Sequence, residues 1–180
     1  MNTTICLIAV ALTATAVQAQ IPASHIAESR QRYTTVRDNL QKAAEAMPEA
    51  DYAFKPTSEI RSFGALIAHV ADAQMAICGG AVGKPKRGNA ADKTSKADLI
   101  AALKESSAGC DAIFDGTTEA NAATPASMGP MKTSRLGLLE YNIGHDLEEY
   151  GYLAVYLRLK GIVPPTSASV PPATAGGPGR

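Results

Sequence analysis

Residues 134–160 read SRLGLLEYNIGHDLEEYGYLAVYLRLK, a stretch without proline in which apolar residues recur at helical spacing. Leu138, Tyr141, His145, Glu148, Tyr152, Val155 and Leu159 stand three and four residues apart, the period of one helix face. Leu139, Asn142, Glu149 and Tyr156 lie alongside. Gly161 supplies a stop, and Pro164-Pro165 forbids continuation. The pattern predicts a helix over roughly 134–160 whose buried face is the first of these two stripes.

Three further segments read the same way. From Ser24 to Met47, Ile26, Tyr33, Leu40 and Met47 repeat at heptad spacing with Val36 and Ala43 between them. Ser24 is placed to cap, Glu28 suits the positive end of the helix dipole, and Pro48 ends the run. From Ser58 or Glu59 to Cys78, the apolar face is Phe63, Leu66, Ile67, Val70 and Ile77, with Gly79-Gly80 as the expected terminator. From Ser95 to Phe114, Ser95 and Asp98 have capping-box-like spacing, and Leu99, Leu103, Cys110 and Ile113 share a face. No strong period-two pattern competes. Four amphipathic helices must bury their stripes against one another, so the fold class is all-α, a four-helix bundle. The link Gly79–Thr94, at roughly 3.3 Å per extended residue, is long enough to recross a helix of about 30 Å. It therefore permits helices two and three to run parallel, the up-down-down-up arrangement.

The chain has 180 residues, 46% of them hydrophobic, with 17 basic and 17 acidic side chains. That suits one compact domain. Neutral balance argues against a general nucleic-acid-binding face, and the composition fits neither a fibrous nor a multispanning membrane protein. Residues 2–19 carry no charge, Ile5–Leu12 is an apolar core of signal-peptide length, and Val17-Gln18-Ala19 offers small residues for cleavage before Gln20. The expected organisation is a cleaved signal peptide over 1–19, a bundle domain over 20–163 and a disordered Pro/Ala/Gly-rich tail over 164–180. The product is expected to be exported, periplasmic or secreted, and not membrane-bound after cleavage. Cys78 and Cys110 remain. Parallel helices two and three would place both near one end of the bundle. Two readings stand for them, one disulfide or two small buried thiols.

Three histidines occur: His25, His69 and His145. His25 stands at the frayed start of the first segment and reads as a surface residue. His69 and His145 lie mid-helix, and Glu149 is one turn beyond His145, with Glu148 beside it. A histidine on one helix facing His-x-x-x-Glu on another supplies two imidazoles and a carboxylate. That set suits a divalent metal, Zn, Ni, Mn or Fe, with positions left open. By spacing alone the metal signal is weak, and structural core histidines bound to a carbonyl or carboxylate are the commoner explanation of the same residues. Asp72, three residues after His69, is the candidate to orient its imidazole. Lys84, Lys86 and Arg87 make a small basic loop that reads as a solvated connection, and the tyrosines at 150, 152 and 156 read as core or as a homodimer seam.

The stretch Phe63-Gly64-Ala65-Leu66-Ile67-Ala68-His69-Val70-Ala71-Asp72-Ala73 resembles the second-helix signature of the DinB superfamily. Asn142-Ile143-Gly144-His145-Asp146-Leu147-Glu148-Glu149-Tyr150-Gly151-Tyr152-Leu153 resembles its fourth-helix signature, and 155–165 is similar to an exported branch. The resemblance spans roughly 24–167. It implies an up-down-down-up bundle and a three-histidine divalent metal centre, used in several relatives to activate a small thiol for transfer or isomerisation. Carried onto this chain, the ligands are His69, His145 and, where the family has its third histidine, Glu149. The implied function is a metal-dependent, thiol-activating transferase or hydrolase acting on a small-molecule substrate. The alternative is a non-catalytic exported bundle serving dimerisation, protein interaction or small-ligand binding, with a degenerate metal site.

Overall fold

Ser24 opens the first helix as expected, its hydroxyl accepting the Ala27 amide at 3.3 Å. In the computed structural model, which describes residues 24–168, the helices are α1 (His25–Ala46), α2 (Phe63–Ala81), α3 (Lys96–Asp115) and α4 (Arg135–Leu159), followed by a single-turn α5 (Pro165–Ala168). Each long helix has a serine N-cap: Ser24, Ser62, Ser95 and Ser134. The side-chain oxygen takes one of the amides that the first turn leaves without a helical partner. The expected signal peptide, residues 1–19, and the tail beyond 168 lie outside the described residues. Residues 165–168, expected to belong to that tail, instead form α5, and Tyr150 Oη accepts the Thr166 amide at 3.0 Å.

Helix directions follow from which ends touch. Glu140, early in α4, pairs with Arg32, early in α1, at 2.8 Å, and bonds Ser29 as well, so α1 and α4 run parallel. Tyr33, early in α1, donates to the Ser107 carbonyl late in α3 at 3.0 Å, and Lys104 meets Glu45 at 2.8 Å, so α1 and α3 are antiparallel. Cys78 and Cys110, both late in their helices, form a disulfide with Cα atoms 5.4 Å apart, so α2 and α3 are parallel. Tyr156, late in α4, donates to the Arg61 carbonyl just ahead of α2 at 2.7 Å, so these two are antiparallel. The arrangement is up-down-down-up.

The core has two parts. One contains Leu40, Met47, Phe63, Ile67, Val70, Leu103, Leu153 and Leu157. The other gathers around Tyr33, Phe114, Cys78, Cys110, Leu138 and Leu139, with the Tyr33 and Phe114 rings stacked at 4.3 Å. By length and composition α2 could cross a bilayer, but 67% of its most apolar window is buried inside the bundle. It is a core helix.

Four expectations need correction. α2 begins at Phe63 rather than at Ser58 or Glu59. The Phe63 and Gly64 amides turn back to the Phe54 and Tyr52 carbonyls at 3.0 and 2.8 Å, and Ser62 takes the cap. Nor do Gly79 and Gly80 end α2. A Cβ on Gly79 would collide with the Lys84 carbonyl, and one on Gly80 would press the Ser127 carbonyl at 3.2 Å, so both glycines serve close approach. Gly83, at φ +70°, makes the turn that follows the helix end. Although no strong period-two pattern stands out in the sequence, the link between α3 and α4 forms a hairpin, β1 (Pro125–Met128) against β2 (Met131–Ser134), antiparallel with Pro125 opposite Ser134. Gly129, at φ +56°, supplies the left-handed residue its two-residue turn requires. Finally, α4 buries the neighbouring stripe. Leu139, Asn142, Ile143, Asp146, Glu149, Leu153 and Tyr156 point inward together with Leu138. Tyr141, Tyr152, Val155 and Leu159 are exposed.

Candidate metal centre

The antiparallel crossing of α2 and α4 brings the second turn of one helix against the middle of the other. His69 enters from α2, and His145 and Glu149 enter from successive turns of α4. The two Nε2 atoms stand 3.2 Å apart. Glu149 Oε1 is 3.4 Å from His69 Nε2 and 3.8 Å from His145 Nε2. The rings meet at 62° with centroids 5.1 Å apart, edge toward face rather than stacked. His69, His145 and Glu149 thus form a cluster capable of coordinating a divalent metal ion.

The donor spacing can be tested against an ion. Ligands held tetrahedrally at 2.0–2.1 Å from zinc lie about 3.3–3.4 Å from one another. The observed separations of 3.2, 3.4 and 3.8 Å bracket that value. A second observation agrees. Glu149 Oε2 is buried and has no hydrogen-bond partner among the described residues. A carboxylate oxygen withdrawn from water without a donor is costly unless a cation offsets it. The residues present therefore fit a divalent ion.

His69 is the most open of the three donors. The His69 side chain is 33% exposed and that of Glu149 only 7%. His69 borders a cavity of about 590 Å³ lined also by Tyr52, Arg61, Ala68, Asp72, Lys93 and Leu99. The cavity thus meets the cluster at His69 alone, with His145 and Glu149 outside its lining.

Behind His145 lies a buried polar layer. Asp146 is wholly buried. Its Oδ2 accepts from Gln74 Nε2 and from Asn142 Nδ2, both at 2.9 Å. The Gln74 side-chain oxygen Oε1 accepts the Ser106 and Ser107 hydroxyls at 2.8 and 3.3 Å, tying α3 into the same layer. Asp146 Oδ1 stands 3.8 Å from His145 Nδ1, an ion-pair distance outside a direct hydrogen bond. The carboxylate favours a proton on Nδ1, which leaves Nε2 for the ligand cluster.

These surroundings separate the two histidines. Burial, then the Arg61 charge and His145, push His69 below its ordinary value. The Asp146 carboxylate, outweighing burial, holds His145 above it. Burial raises Glu149 and Asp146 above the usual carboxylate range, and His145 draws both back.

Asp72 does not take the role expected of it. Its two oxygens accept the Ala90 and Ala91 amides at 2.9 and 3.2 Å, pinning the long link to α2. Gly88 lies so close to Asp72 that a Cβ would collide with the carboxylate. The acid that backs a ligand is Asp146, which sequence reasoning passed over. Its signal was present, since it immediately follows His145 on a stripe also containing Asn142 and Glu149. Glu148 is exposed and accepts the Tyr152 hydroxyl at 3.2 Å, so neither residue reaches the cluster. His25 stays at the surface near Glu140.

Comparison with known proteins agrees with the architecture. Residues 32–153 match the family model described as the DinB superfamily. A DinB-like protein from Bacillus cereus superposes with a TM-score of 0.68 at 18% identity, over 78% of this chain and 95% of its own. A DinB-like protein from Bacillus subtilis gives 0.61 at 23% identity, over 74% and 92%. A mycothiol-dependent maleylpyruvate isomerase gives 0.58 at 15% identity, over 73% of this chain and 60% of its own. At these identities the likeness is one of fold. No curated protein matches the sequence.

Proposed function

The chain belongs to the DinB superfamily, and from that membership we propose that it is a divalent-metal enzyme of the transferase or hydrolase type, with His69, His145 and Glu149 as ligands. The observation that carries the reading is the spacing of the three donors at 3.2, 3.4 and 3.8 Å around one point, together with the unpartnered Glu149 oxygen. A bound ion would supply Lewis-acid polarisation and a lowered pKa for a coordinated water or thiol. The printed name of one structural relative, a mycothiol-dependent isomerase, makes thiol activation the reaction class to test first.

The chain's own residues account for the rest. Asp146, fixed by Gln74 and Asn142, keeps the Nδ1 proton on His145 and so leaves its Nε2 lone pair for the site. Burial and Arg61 keep His69 neutral at pH 7, as a ligand must be. Glu149 brings a negative charge that a third imidazole would not, which favours harder ions such as Mn or Fe over the softer end of the series. The cavity beside His69 admits the substrate, and the buried sides of His145 and Glu149 exclude water from behind. We also infer export, since a disulfide between two buried cysteines suits an oxidising compartment.

Metal analysis of protein purified without an affinity metal column tests the reading. One divalent ion per chain is expected, lost in His69→Ala and His145→Ala and retained in Glu149→His. Folded wild type that takes up no Zn, Ni, Mn or Fe at micromolar supply would refute it and favour the reading as a non-catalytic bundle.

A further inference from the structure

The cavity beside His69 has a recognisable charge pattern. Arg61 and Lys93 both line it. Neither side chain has a hydrogen-bonding or ion-pair partner among the described residues, whereas Arg30 pairs with Asp115, Arg32 with Glu140 and Arg37 with Asp111. Two acids also line the cavity, Glu49 and Asp72. Asp72 keeps its charge, so the lining is balanced overall, but both its oxygens are committed to the Ala90 and Ala91 amides, which leaves the donors of Arg61 and Lys93 free for a ligand. Arg61 lies near enough to the ligand cluster for its charge to act on both His69 and Glu149.

The start of α2 borders the same space but cannot serve an anion. The Phe63, Gly64, Ala65 and Leu66 amides are already bonded to the Phe54 and Tyr52 carbonyls, the Ser62 hydroxyl and the Ser62 carbonyl. Charge recognition therefore falls to the side chains of Arg61 and Lys93. Between them the wall is apolar: Tyr52, Ala65, Ala68 and Leu99. The volume of about 590 Å³ is in the range of pockets that enclose small organic ligands.

We propose that this cavity binds a small organic carboxylate with a compact apolar body, its charged end held by Arg61 with Lys93 alongside and the atoms next to the carboxylate lying beside His69. An arginine offers two parallel donors matched to the two carboxylate oxygens, which a neutral amide cannot reproduce. The inference names the substrate class of the centre proposed above. It rests on that reading for turnover, whereas binding requires only the cavity.

The test is a titration of the full chain, as purified and again after chelation, with 4-methylpentanoate and with its neutral amide, following the His69 Cε1 proton by NMR. The carboxylate is expected to bind at least about tenfold more tightly than the amide, as a charge-assisted pair implies. Arg61→Met should erase that preference while leaving amide binding unchanged. Lys93→Met should weaken carboxylate binding less. Equal binding of acid and amide, or an Arg61→Met variant that keeps the preference, would overturn the proposal. So would no shift at His69 with either ligand. The chelated sample keeps this outcome separate from failure of the metal reading, which stoichiometry alone decides.

Discussion

Reducing the Cys78–Cys110 disulfide should cost the bundle about 3–4 kcal/mol. The bridge joins residues separated by 32 positions. The chain-entropy relation for a loop of that size gives about 3.7 kcal/mol at 25 °C. Against a total stability of about 5–15 kcal/mol, that is a large share. Urea unfolding with and without reductant is the assay. For a urea slope of about 2 kcal/mol/M, the midpoint should fall by roughly 1.5–2 M. Cys78→Ala/Cys110→Ala should fall at least as far, because it also removes two side chains that are 2% and 1% exposed. Their burial adds a kinetic signature, with the bond resisting dithiothreitol in the native state and yielding quickly in urea. A midpoint change below about 0.5 M would refute the reasoning. Two free thiols at these positions in unreduced, denatured protein would do the same.

Other outcomes follow from the site and its frame. Asp146→Asn should weaken metal affinity about 10–100-fold while the bundle stays folded, which competition with a chromophoric chelator measures; unchanged affinity would remove Asp146 from its role. In metal-free protein, His145 should titrate above 6.5 and His69 below it by NMR, and the reverse order would contradict the assigned surroundings. The two have opposite linkage. The stabilisation from His145 is full below its unfolded value and is lost as pH rises through its folded one. His69 costs stability as pH falls from its unfolded value through its lowered folded one. Gly79→Ala should destabilise by about 1–3 kcal/mol, since its new methyl meets the backbone carbonyl of Lys84 rather than a flexible side chain; thermal unfolding with no loss would show that the Lys84 turn simply moves aside.

Local chemistry made most of the frame legible. Serine caps, glycine and proline stops and apolar periodicity located four helices to within a few residues, because each signal acts within one turn. The length of the second link admitted a parallel α2–α3 pair, and the two cysteines then fell together. What failed needed long-range information. The α2 start is set by the Phe54 and Tyr52 carbonyls, and nothing in Ser58–Arg61 announces them. The strands of the hairpin Pro125–Ser134 are only four residues each, too short for a period-two signal to stand out, and Ala126, Met128 and Met131 are placed by packing on the second core cluster. On α4 the exposed stripe contains Tyr141, Tyr152, Val155 and Leu159, more apolar by type than the Asn142, Asp146 and Glu149 carried on the buried one. A helix that buries functional polar groups violates the pattern used to orient it. For the same reason His69, His145 and Glu149 were visible as a set, but the carboxylate supporting them was sought at Asp72.

The partition of donors between two helices dictates an order of events. His145 and Glu149 become neighbours as soon as α4 coils, whereas His69 comes from 76 positions earlier and joins them only when α2 docks. An ion consequently cannot nucleate this fold as it does a zinc finger, whose few ligands crowd a short chain. A bound ion would fasten a seam that packing closes. Stripping it would therefore leave a recognisable bundle, softened along a single contact and ready to be reloaded.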